Sequence, residues 1–369
     1  MQAGRETCAE PEPVVIRPDV SPRQRNYRFE PATEKRHLTH QNHDAGGYGD
    51  QRPSLCFGIR APLMRIFSDW RDVPPDARGA TVALGNFDGV HLGHASVIRA
   101  AHAARPDAPL AVLTFEPHPR EVFRPDDPPF RLTLSPERAD ALATLGVDLL
   151  YELPFNHDFS LMTADDFVGK VLHQGFGARH LVSGQDFAFG HRRGGNTGFL
   201  AGRAEALGMG LTLVPPVTDS QGPLSSTRIR RALQDGYPER ATAELGRPWA
   251  IRGIVSHGDK RGRTIGFPTA NVPLGRHLEP ARGVYAVTIR LADGTMHNGV
   301  ANVGRRPTVN AGTESRLEVN LFDFDADIYG TDITVALLTY IRAEVKFSGL
   351  DALKAQIARD AAEARRLFG

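Results

Sequence analysis

Cysteine is nearly missing from this chain of 369 residues, which has only Cys8 and Cys56. Two thiols cannot staple a small secreted scaffold, so a reducing cytoplasm is the expected setting. Both lie in the first 63 residues, so no Cys-Cys or Cys-His metal site is expected in the remainder. No apolar run approaches the roughly 18 residues a membrane helix needs, and no membrane is expected as partner. Charge of one sign is also lacking: 44 Lys and Arg face 43 Asp and Glu. A net charge of +1 offers no general basic field for nucleic acid, so none is expected as partner.

Residues 1–63 lack sustained apolar periodicity and carry Pro11, Pro13, Pro18, Pro22, Pro31, Pro53 and Pro62. They also lack a secretory apolar core segment. They are expected to be a disordered extension, or to precede a true start at Met64. From Met64 the texture changes. Apolar strands at 80–84, 111–115, 147–153, 180–183 and 211–214 alternate with helical patterns at 94–101, 136–145, 164–173, 197–207 and 225–233. That alternation predicts an α/β domain with a parallel, doubly wound sheet over 64–246. Beyond Gly246-Arg247-Pro248 come short strands at 251–256, 283–291, 297–303, 317–322 and 334–341. The turn Ala292-Asp293-Gly294 marks a hairpin between two of them. A small antiparallel β-barrel is expected over 247–369, closed by a helix near 350–367.

Chemistry concentrates at a few points. Gly85-Asn86-Phe87-Asp88-Gly89-Val90-His91-Leu92-Gly93-His94 runs from a strand end through a glycine-rich turn into a helix. Such a junction favours phosphate. His91 and His94 there can donate hydrogen bonds to a phosphorus centre as charge develops. Ser225-Ser226-Thr227-Arg228-Ile229-Arg230 offers hydroxyls and N–H groups at a second helix start, with Arg228 or Arg230 adding charge. Asp186 follows a strand and can hold a ribose or adenine. Phe187 and Phe189 beside it either stack on ligand or pack. Asn156 is equally readable as a ligand contact or a turn residue.

In the barrel half, Gly253–Arg263 leads to Gly266-Phe267-Pro268-Thr269-Ala270-Asn271. Thr269 and Asn271, two apart in extended chain, point the same way and offer oxygens suited to Mg²⁺. Glu318 falls on the strand face opposite Leu317, Val319 and Leu321, and is a candidate general base for a substrate hydroxyl.

The His-x-Gly-His turn resembles that of the nucleotidyltransferase superfamily. With the Gly-Phe-Pro-Thr-Ala-Asn string, residues from about Met64 to Phe368 resemble the bacterial bifunctional riboflavin kinase/FMN adenylyltransferase (FAD synthetase) family. That resemblance implies a Rossmann-like nucleotidyltransferase domain followed by a flavokinase barrel. It implies two reactions: riboflavin and ATP give FMN in the barrel, then FMN and a second ATP give FAD and pyrophosphate in the α/β domain. It places ATP of the second reaction on Gly85, Phe87, Asp88, Gly93, Asp186, Ser226, Thr227 and Arg230, and its flavin on Phe115, His118 and Asn156. His91 and His94 match the transition-state stabilisers and Glu318 the kinase base. Gly258, Gly262, Arg263, Gly266 and Pro268 match the kinase nucleotide site, with Mg²⁺ on Thr269 and Asn271. Two positions depart from the family pattern: Asn320 stands where His is frequent, and Ala188 where a basic residue is frequent. Self-association is left open. Two other functions compete: a nucleotidyltransferase with another acceptor, and a flavin- or nucleotide-binding regulator whose sites have decayed. The first leaves Gly266–Asn271 and Glu318 unexplained. The second is opposed by the presence of His91, His94 and Glu318.

Overall fold

The computed structural model describes residues 64–256, 269–307 and 313–369. The expectations for residues 1–63, and for Gly258, Gly262, Arg263, Gly266 and Pro268, lie outside these.

Six strands form a parallel sheet: Arg65–Phe67 (β1), Thr81–Leu84 (β2), Leu110–Glu116 (β3), Leu149–Pro154 (β4), His180–Gly184 (β5) and Gly210–Val214 (β6), in the spatial order β1-β4-β3-β2-β5-β6. Alternate residues feed two apolar layers, as strand geometry requires. Ala83, Val112, Leu150 and Val182 meet Val97, Ile98 and Ala101 of helix Leu92–Ala104 (α1) and Leu142. Val82, Leu113, Tyr151 and Leu181 face the other way, toward Val168, Val171, Leu172 and Leu200.

Further helices on this half are Pro119–Phe123 (α2), Ser135–Thr144 (α3), His157–Ser160 (α4), Ala164–Asp166 (α5), Thr197–Ala206 (α6), Ser226–Gln234 (α7) and Pro238–Leu245 (α8). Three of these details differ from the sequence expectation. The first helix starts at Leu92, not His94, because the His91 side chain caps it. The helix expected over 164–173 turns π-helical at Phe167–Gly175, with Phe176 N donating to Val171 O at 3.0 Å. Helix α8 was not expected, although Pro238 at its start, Glu239 in its first turn and left-handed Gly246 at its end mark it.

The second sheet is antiparallel: Trp249–Ile254 (β9), Ala270–Pro273 (β10), Gly283–Arg290 (β11), Met296–Pro307 (β12), Thr313–Leu321 (β13) and Asp332–Ala343 (β14), after a two-residue ribbon at Thr218–Asp219 (β7) and Gly222–Pro223 (β8). Its order is β10-β13-β12-β11-β14-β9. The edges nearly close into a barrel where Ser256 N donates to Asn271 O at 2.8 Å. The expected β11–β12 turn forms as read, with Asp293 Oδ1 accepting from Thr295 N at 2.9 Å and Gly294 left-handed. Helix Leu350–Phe368 (α9) covers Val284, Ala286, Val300 and Phe322 on the barrel's outer face.

The halves are not separate bodies. Ile229, Leu233 and Leu245 of α7 and α8, with Leu132, share one apolar core with Trp249, Ile251, Tyr285 and Val335 of the barrel.

Candidate functional site

The Gly85–His94 turn sits at the carboxyl end of β2, where an α/β sheet places its ligands. His91 is the N-cap of α1. Its Nδ1 accepts from Gly93 N at 3.1 Å and His94 N at 3.3 Å, which leaves Nε2 to carry the proton. Gly93 is glycine for space: a Cβ there would lie 2.9 Å from His91 Cε1. The His91 and His94 rings stack at 3.7 Å between centroids, and Phe87 packs on His94 at 5.1 Å. Burial lowers the His91 pKa to about 4. Nearby Asp88 opposes this, while Arg230 and Arg247 add to it. Burial, then the neighbouring His91, hold His94 well below the ordinary histidine value. Its Nδ1 is buried with no hydrogen-bond partner. The pair is therefore neutral and stacked, beside the Asp88 carboxylate and the cations Arg230 and Arg247.

Asp88, expected on the ATP of the second reaction, is tied into the support of the turn. It is 2% exposed, and its carboxylate accepts from Leu132 N, Thr133 N and Arg230 Nη2, the last at 2.6 Å. It anchors Arg230 beside the turn. Arg230 Nε also donates to Phe130 O at 2.8 Å, and its guanidinium lies over the Phe130 ring at 5.2 Å. Ser226 Oγ donates to Asp88 O at 2.9 Å, Ser225 caps α7, and Thr227 is exposed. Arg228 is taken by Asp219 and Glu244, so Arg230 is the arginine brought to the turn.

The flavin candidates split between two clusters. Phe115 meets Phe155 and Phe159, each at 5.4 Å. Asn156 caps α4, accepting from Phe159 N at 2.8 Å, and lines a cavity of about 270 Å³ with Trp70, Phe159 and Met162. His118 caps α2 through Arg120 N at 3.1 Å and packs edge-on to Phe130 at 5.1 Å, next to Arg230. Asp186 is exposed at the end of β5. Phe189 is buried in the core and Phe187 stacks on it at 5.3 Å, which is packing.

In the barrel, strand register joins residues far apart in sequence. Glu318 stands opposite Asn271 of β10 on one side and Asn302 of β12 on the other. Leu317 and Val319 point into the barrel and are fully buried, while Glu318 is exposed on the outer face. That face is covered by α9 at Phe322 and Val300 but open at Glu318. Asn271 is 5% exposed and Thr269 half-buried, both hard oxygen donors of the kind Mg²⁺ takes.

Residues 73–228 match the family model described as FAD synthetase, and residues 245–368 the one described as riboflavin kinase. The bifunctional riboflavin kinase/FMN adenylyltransferase of Escherichia coli K12 is 42% identical over 293 residues, 79% of this chain and 93% of that one. The chain belongs to the bifunctional riboflavin kinase/FMN adenylyltransferase family. The Bacillus subtilis member is 40% identical over 295 residues, 78% of this chain and 92% of that one. A crystal structure from Streptococcus pneumoniae, described as a macrolide-efflux protein, has the same fold, with TM-score 0.74 at 36% identity over 83% of this chain and all of that one (100%). Among the described residues no helix is long and apolar enough to cross a membrane.

Sequence reasoning about this family member missed Arg247, which donates to the backbone of the His-x-Gly-His turn, and Thr133, which holds Gly89 N at 2.9 Å. The signal available for Arg247 was its place directly after a helix-ending glycine.

Proposed function

We propose that this chain makes FMN and then FAD at two separate sites, with ATP as co-substrate for each step. In the barrel, the riboflavin 5′-hydroxyl attacks the γ-phosphorus of ATP. The new P–O bond forms as the β–γ bridge breaks, ADP leaves, and Glu318 takes the hydroxyl proton. Thr269 and Asn271 fit Mg²⁺, which when bound neutralises phosphate charge. In the α/β half, an FMN phosphate oxygen attacks the α-phosphorus of a second ATP, and pyrophosphate leaves. His91 Nε2–H and His94 donate to the phosphoryl oxygens, while the N-terminus of α7 and Arg230 receive the departing phosphates. Most of the rate enhancement comes from positioning and charge stabilisation. A cytoplasmic setting, where ATP is supplied, belongs to the same proposal.

The observation that carries this reading is the coexistence of a neutral stacked histidine pair at a helix start and, in the same chain, Glu318 in register with Asn271. A transferase acting on another acceptor leaves the second site without a task. The test is incubation with riboflavin, ATP and Mg²⁺, with flavins resolved by chromatography. FMN should appear first and FAD after it. With His94→Ala, FMN should accumulate and FAD should not form. A wild-type chain that makes neither flavin overturns the proposal.

A further inference from the structure

The loop from Asn86 to His91 holds an uncommon backbone. Phe87 (φ 50°), Gly89 (φ 86°) and Val90 (φ 44°) all lie in the left-handed region. For a β-branched residue such as Val90 this is a strained state that persists only where surrounding contacts fix it. Every backbone carbonyl of the loop is held. Thr114 Oγ1 donates to Asn86 O at 2.8 Å, Val90 N to Phe87 O at 3.1 Å and Ser226 Oγ to Asp88 O at 2.9 Å. Ala95 N donates to His91 O at 2.9 Å. The two carbonyls between them belong to one side chain: Arg247 Nη2 donates to Gly89 O at 2.7 Å and Nη1 to Val90 O at 2.9 Å.

Arg247 lies within the segment that matches the riboflavin kinase model, yet its guanidinium serves the other half. It forms no ion pair with a carboxylate among the described residues, and burial lowers its pKa. A half-buried cation without a counter-charge is costly unless its hydrogen bonds are met and anions are near. Here the hydrogen bonds go to two successive carbonyls, which suits the rigid fork of arginine. The charge lies close enough to His91 and His94 to act on both.

We propose that Arg247 is a positioning residue for adenylyl transfer, fixing the Gly89–Val90 turn and through it the aim of His91. This rests on reading His91 and His94 as the adenylyl-transfer pair. In full-length Arg247→Met, kcat for FMN adenylylation should fall about 100-fold, the loss that roughly 1 Å of misplacement brings. The KM values for ATP and FMN should stay near wild type, and riboflavin phosphorylation should be unchanged. Arg247→Lys keeps the charge but replaces the fork with a single donor nitrogen, and should recover part of the lost kcat. If the wild type makes FAD and Arg247→Met does so at the same kcat, the assignment of Arg247 fails alone. Parallel loss of riboflavin phosphorylation, or a lysine variant no better than methionine, also overturns it. A wild type that makes no FAD removes both this assignment and the functional reading beneath it.

Discussion

Glu318 stands between Asn271 and Asn302 on the exposed face of β13. Strand alternation puts it opposite Leu317 and Val319, and that much is readable from the sequence. Its partners are not, because Asn271 and Asn302 reach it through strand register across gaps that sequence spacing does not encode. A carboxylate beside two amides, on the open part of a barrel face, has access to a substrate hydroxyl. Glu318→Gln keeps the shape and removes the proposed base. Riboflavin phosphorylation should fall by about 10²–10⁴, the range for a lost general base. Adenylylation of supplied FMN should proceed at the wild-type rate, measured by FAD appearance. Loss of both would count against Glu318 as the base. The His91–His94 pair was legible for a local reason: strand end, turn and helix start are contiguous. The partners of Asp88 were not legible, because Leu132, Thr133 and Arg230 lie far along the chain.

At the scale of elements, caps decide where helices begin, and some of those caps titrate. His118 starts α2 in a reciprocal box: its ring accepts from Arg120 N, and Glu121 accepts from His118 N at 2.8 Å. Burial lowers the His118 pKa to about 4, with nearby Arg131 and Arg230 adding to this against Asp88 and Glu121. His91 caps α1 with a pKa also lowered to about 4. In the unfolded chain both groups titrate near 6.5. Between these values the unfolded state takes up protons that the folded state refuses. Stability therefore falls as pH drops from about 6.5 to 4, by up to roughly 3 kcal/mol per group. His118→Asn keeps a capping acceptor and removes the titration. Its denaturant midpoint should depend less steeply on pH over that window than the wild type's, as followed by circular dichroism. An equal slope would remove His118 from the cause. Elements with both a periodic face and end signals, such as α3 and β3, were readable. The π-helical turn at Phe167–Gly175 was not: its end packs on the turn after β1, where a Cβ on Gly175 would lie 2.8 Å from Trp70 O.

Across the described body, the two catalytic halves are tied by charge as well as by apolar core. Arg131 is 0% exposed and pairs with Glu116 and Glu121, while Arg276 of the barrel reaches the same two carboxylates at 2.9 and 3.3 Å. Burial pushes the Glu116 carboxyl up, but Arg131, Arg138 and Arg276 together hold it down to about 2. His277 Nε2 lies 2.7 Å from Glu137 Oε1, again across the junction. Leu132 joins three parts at once. Its N donates to Asp88, its O accepts from Trp249 Nε1 at 2.8 Å, and its side chain lies in the barrel's core. No such junction could be foreseen from two family-like segments in series, because each segment reads as complete in itself. Its consequence is cooperative unfolding of both halves. Trp70 packs beside the core of the first half, while Trp249 lies in the core the halves share and donates to Leu132 O, so a Trp70→Phe chain keeps the junction and leaves Trp249 as its reporter. In that chain the denaturant midpoint read from Trp249 fluorescence should equal the one read from far-ultraviolet circular dichroism, which sums both halves. Arg131→Met in the same background leaves the partly buried Glu116 and Glu121 short of a cation and should lower both readings together, by a stability loss of about 3–5 kcal/mol. A biphasic circular dichroism curve, or a loss that spares the Trp249 signal, would show that the halves fold independently and that the charge network does not couple them.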